Sequence, residues 1–88
     1  MTDNEIRRFR TEIGEVDREL VAAVNRRLEL VAALKRYKDD HGIAFVDPAR
    51  EASLIDERVR DNPGPLSDEG VRSFYIELLA LLKRELET

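Results

Sequence analysis

The chain has 88 residues, 39% of them charged and 42% hydrophobic, with a formal net charge of −4 and no cysteine. That length allows one small domain, and a monomer of this size buries only a modest core. The acidic balance argues against a nucleic-acid binder, the lack of cysteine excludes disulfides and thiolate chemistry, and no apolar run approaches the roughly 20 residues of a membrane span.

A composition rich in Arg, Glu, Leu and Ala, with only 6% aromatic residues, suits long amphipathic helices and points to an all-α fold. The first forty residues contain no proline and a single glycine, Gly14. Phe9, Ile13, Val16, Leu20, Ala23, Val31 and Leu34 recur at spacings that keep one helical face apolar. Thr2 or Asp3 would cap the start, and His41-Gly42 would end the helix, with Gly42 in a left-handed conformation. A helix over about 3–41 is about 57 Å long at 1.5 Å per residue. That exceeds the width of a compact chain of this size, so its apolar seam calls for a second copy.

Asp47-Pro48 reads as an N-cap followed by proline at the first helical position. It opens a short helix over about 48–60, with Ala52, Ile55 and Val59 on one face. Asn62-Pro63-Gly64-Pro65 breaks the chain. Ser67 then caps a third helix over about 68–86, whose first turn carries Asp68 and Glu69. Its apolar residues are Val71, Phe74, Tyr75, Leu78, Leu79 and Leu82. The expected architecture is one domain over 1–88, made of a long, a short and a medium helix. The start, MTDNEIRRFR, has no apolar leader segment, so a cytoplasmic location is expected.

Two cations interrupt the first helix's seam. Arg27 and Lys38 are eleven residues apart, and eleven steps of 100° return almost to the starting angle, so both share the face of Val31 and Leu34. Unpaired cations there are costly. Internal salt bridges or snorkelling side chains would explain them, and so would a pocket for a dianion. Arg10 lies seventeen residues before Arg27, roughly 25 Å along a helix, so only another copy's Arg10 could meet Arg27 at one small ligand. Arg50 and Glu51, in the first turn of the second helix, form either a site rim or an ordinary surface pair. His41 suits a helix C-terminus rather than catalysis. Tyr37, Phe45, Phe74 and Tyr75 read as packing residues. No phosphate loop, metal-spaced cluster or nucleophile triad is present in the sequence.

The run from Arg10 through Asp17, then Arg26-Arg27-Leu28-Glu29-Leu30-Val31, then Lys38, then Asp47-Pro48-Ala49-Arg50-Glu51, resembles the all-helical class of chorismate mutases in order and spacing. The stretch from Asp61 through Phe74 and Glu77-Leu78-Leu79 is also similar to that class, including domains fused to the first enzyme of the shikimate pathway. The resemblance implies an intertwined homodimeric bundle that turns chorismate into prephenate in phenylalanine and tyrosine biosynthesis, without cofactor or metal. It implies that Arg27 and the other copy's Arg10 bind the two substrate carboxylates, and that Lys38 reaches the ether oxygen and a carboxylate. It further implies that Arg50 and Glu51 sit near the ring hydroxyl, that Asp47 holds the site edge, and that Leu34 lines the pocket.

The third helix departs from the pattern. Where the class carries a Gln or Glu donating to the ether oxygen, the register set by Phe74 and Glu77 gives Leu86, and one turn earlier Leu82. Glu85 and Glu87 are the nearby alternatives for that role. Members with this pattern are activated in a complex with the synthase that begins the shikimate pathway, so such a partner is an expectation here. Two other functions fit the same helices: an isochorismate pyruvate-lyase with a similar cationic pocket, and a non-catalytic regulatory or dimerisation module.

Overall fold

The computed structural model describes residues 2–87, apart from the side chain of Thr2. Three helices follow in order: α1 (Thr2–Asp40), α2 (Pro48–Asp61) and α3 (Asp68–Glu87), with no strand among the described residues. The fold class is therefore all-α with the long, short and medium order read from the sequence. Two compact units divide the chain, Met1–Leu34 and Lys35–Thr88, and the division falls inside α1.

The first unit is helical throughout its described length. Asp3 lies within the first turn and complements the helix dipole instead of capping it. The other capping candidate, the Thr2 side chain, lies outside the described residues. The expected seam is left open: Phe9, Ile13, Val16 and Leu20 are 48–59% exposed. Four large apolar side chains at helical spacing, all about half in water, form an unpartnered stripe rather than scattered surface residues.

In the second unit the C-terminal end of α1 closes with two nested bonds. Ile43 N donates to Lys38 O at 2.8 Å and Gly42 N to Asp39 O at 3.3 Å, with Gly42 at φ +66. This is a Schellman stop, and its left-handed residue is the glycine expected for it. Asp47 caps α2, its Oδ1 accepting from Arg50 N at 3.1 Å, and Pro48 takes the first helical position. Asn62 ties the following turn, accepting from Gly64 N at 3.2 Å and donating to Leu66 O at 2.7 Å. Ser67 Oγ accepts from Gly70 N at 3.0 Å and so caps α3.

Helices α2 and α3 pack on each other antiparallel. Arg72 bonds Asp56 at 2.8 Å, and Lys83 near the end of α3 reaches Glu51 at the start of α2. Among the described residues the buried core is Val71, Leu78 and Leu82, all on α3 and 3–7% exposed. Opposite them, α2 turns in Glu51, Leu54, Ile55, Arg58 and Val59, each half-buried. Ala52, expected on that inner face with Ile55 and Val59, is exposed while the other two are half-buried. Tyr37 and Phe74 also differ from expectation. Tyr37 is 56% exposed and stacks on His41 at 4.0 Å, and Phe74 is 43% exposed and meets Tyr75 edge-on at 5.3 Å. Both rings find an aromatic neighbour on their own segment instead of a place in the core.

Candidate functional site

The second unit holds Lys38, Asp47, Arg50, Glu51, Leu82 and Leu86. Lys38 is half-buried, and its Nζ lies 3.5 Å from Phe45 O, a long and weak contact. Among the described residues it has no carboxylate partner. The Schellman stop fixes the backbone at Lys38, since its own carbonyl is one of the acceptors. Asp47 acts through the cap: the carboxylate that holds Arg50 N also sets where the first turn of α2 begins. Arg50 and Glu51 therefore emerge from a fixed turn.

Both of these side chains carry a counter-ion. Arg50 Nη1 bonds Glu57 Oε2 at 2.8 Å, two turns along α2. Lys83 Nζ donates to both Glu51 oxygens, each at 2.9 Å. The Glu51 side chain is 28% exposed and that of Lys83 40%, so the pair is neither sealed nor free in solvent.

On α3, Leu82 is 3% exposed and belongs to the core with Val71 and Leu78. It has almost no surface left to offer a ligand within this chain. Leu86, half-buried, lies one turn beyond, and Lys83 stands between them in sequence. The sequence reading missed Lys83. Its partner is 32 residues away, and no local pattern marks it.

The first unit holds Arg10, Arg27 and Leu34. Arg27 is half-buried and Arg10 exposed, and neither forms an ion pair among the described residues. Leu34 is 48% exposed. The internal salt bridges that would explain a cation on the seam are not formed by Arg27 or Lys38. His41 is accounted for locally, its Nδ1 lying 2.8 Å from Tyr37 O. A separate cavity of about 280 Å³ is lined by Arg58, Asp61, Asn62, Leu66, Val71, Phe74 and Tyr75, and contains none of the expected site residues. No group of three or more His, Asp or Glu able to hold a metal occurs among the described residues.

Arg27 in the first unit and Lys38 in the second, each half-buried and without a carboxylate partner among the described residues, suit carboxylate ligands, because guanidinium and ammonium donors bind carboxylates through charge-assisted bonds. Comparison with known proteins bears on which one. A family model described as chorismate mutase type II matches residues 9–87. The chain is 31% identical over 84 residues to the 4-amino-4-deoxychorismate mutase of Streptomyces venezuelae, covering 94% of this chain and 78% of that protein. It is 38% identical over 50 residues to the T-protein of Haemophilus influenzae, a match spanning 57% of this chain and 13% of that protein. Two forms of the chorismate mutase structure from Thermus thermophilus superpose with TM-scores of 0.85 and 0.88, each at 29% identity. They cover 89% and 94% of this chain, and 98% and 94% of those chains, respectively.

Proposed function

Because the chain belongs to the chorismate mutase type II family, we propose that it converts chorismate to prephenate at a site built around Arg27, Lys38 and Glu51. The reaction is an intramolecular rearrangement in which a C–O bond breaks as a C–C bond forms. It needs no nucleophile, metal or redox group. The protein's task is to hold the reactive conformer and to stabilise charge gathering on the departing ether oxygen.

In this proposal Arg27 grips one substrate carboxylate, and Arg10 of a second copy grips the other, each as a planar fork. Lys38 contacts a carboxylate and the ether oxygen, where a preorganised cation lowers the barrier. Holding both ends of the substrate in near-attack geometry removes a further part of it. Glu51 accepts a hydrogen bond from the ring hydroxyl beside Arg50, Asp47 fixes the turn that presents both, and Leu34 and Leu86 supply apolar walls. Leu82 supports that wall from the core. The 88 residues act as one domain in a homodimer, located in the cytoplasm.

The observation that carries the site assignment is the state of Arg27 and Lys38: half-buried, on the face expected to be apolar, and without carboxylate partners among the described residues. Cations that the fold does not neutralise are ready to receive an anion. The open stripe through Phe9, Ile13, Val16 and Leu20 supports the second copy. The leucine at position 86, where the class carries a Gln or Glu, supports activation by a complex with the synthase that begins the shikimate pathway. The lyase and non-catalytic readings are not favoured, since the family match and the T. thermophilus structures are those of mutases. The test is prephenate formation from chorismate by the purified protein; no turnover at any accessible concentration would remove the proposal.

A further inference from the structure

Lys83 belongs to no part of the expected site, yet it occupies the site carboxylate expected to meet the ring hydroxyl, Glu51. Its Nζ donates to both oxygens of Glu51 at 2.9 Å, across the α2–α3 interface. Arg50, the cation next to Glu51 in sequence, is not available for this, because Glu57 holds it at 2.8 Å. Lys83 is therefore the cation that balances Glu51. Leu82 and Leu78 are buried in the same helix, so the lysine's backbone is anchored by the core while its side chain reaches out to α2.

We propose that Lys83 is a specificity-determining positioning residue, which neutralises Glu51 so that the site prefers a ring hydroxyl over a ring ammonium. This rests on the reading that Glu51 accepts a hydrogen bond from the substrate's ring substituent. A carboxylate already bound to an ammonium still has lone pairs for a neutral O–H donor, since its two oxygens offer about four acceptor sites. It is a poor host for a second full cation, which would stand within a few ångströms of Nζ and be repelled by it. The 4-amino analogue of chorismate differs at this one substituent, and an aliphatic amine is protonated at neutral pH. Without Lys83 the bare carboxylate would favour the ammonium, and the order of preference would move toward the amine. Rejection of this kind, by placing like charge against the wrong ligand, is a general route to selectivity.

The experiment compares kcat/KM for chorismate and for 4-amino-4-deoxychorismate in the wild type, Lys83→Met, Lys83→Gln and Lys83→Arg. The wild type and Lys83→Arg should favour chorismate. Lys83→Met should shift the ratio toward the amine on the order of tenfold or more. Lys83→Gln keeps a hydrogen-bond donor to Glu51 without the charge and should shift the ratio in the same direction, which separates charge from packing. Circular dichroism identifies any variant that loses its helices, and the remaining neutral variant then carries the comparison. An unchanged ratio, with both substrates losing activity equally, would show Lys83 to be a tie between helices and overturn the proposal. A wild type that converts neither substrate would overturn the parent reading and this one with it.

Discussion

Leu20→Glu places a carboxylate in the middle of the open α1 stripe. Leu20 is 48% exposed in the single chain, so a covering partner removes about half of a leucine side chain from water. Full burial of such a side chain is worth about 1.5–3 kcal/mol, so the half still exposed contributes about 1 kcal/mol. Glutamate forfeits that and, if the partner closes over it unpaired, costs about 1–3 kcal/mol more. In a two-fold dimer the substitution appears twice, giving roughly 4–8 kcal/mol per dimer. At 1.4 kcal/mol per factor of ten, the dimer's Kd rises by about 10³ to 10⁶. Sedimentation velocity across a concentration series reads this directly, with chorismate turnover measured on the same samples. Monomers should appear at concentrations where the wild type is dimeric, and activity per chain should fall as the sample is diluted. A variant that sediments as the wild type does would refute the assignment of the stripe to a second copy.

Two further substitutions probe the second unit. Asp47→Ala removes the cap that holds Arg50 N and should cost about 0.5–2 kcal/mol of stability, seen as a lower Tm in calorimetry; an unchanged Tm would show that the cap contributes nothing. Leu86→Gln restores a hydrogen-bond donor on α3 and should raise kcat about tenfold or more, while an unchanged kcat would show that this position does not face the ether oxygen.

Local chemistry was the most readable part of the sequence. The Asp47 cap, the Ser67 cap and the glycine stop at Gly42 each depend on residues within one turn, so the sequence shows them and the structure forms them. The α1 stripe was legible for the same reason, because helical periodicity alone determines which residues share a face. What the sequence concealed is set by packing between helices. The antiparallel arrangement of α2 and α3 decides that Leu82 is buried in the core and that Lys83 meets Glu51 from 32 residues away. Even the cations were ambiguous on pattern alone. An internal salt bridge would have explained Arg27 as well as a ligand does, and the structure leaves Arg27 without one among the described residues.

Chorismate rearrangement and completion of the site by two copies of the chain are tested together by one mixing experiment. Arg10→Ala and Arg27→Ala are purified separately and assayed for prephenate alone and after equal mixing under conditions that allow subunit exchange. Each variant alone lacks one carboxylate clamp at every site and should be nearly inactive. In a mixed dimer one site carries both substitutions and the other carries neither. Half of the dimers are mixed, so the sample should recover about one quarter of wild-type activity, as the symmetry of an isologous pair requires. Recovery to that level is expected; equal activity in Arg27→Ala and the wild type would remove Arg27 from the site, and no recovery on mixing would show that the two copies do not share it.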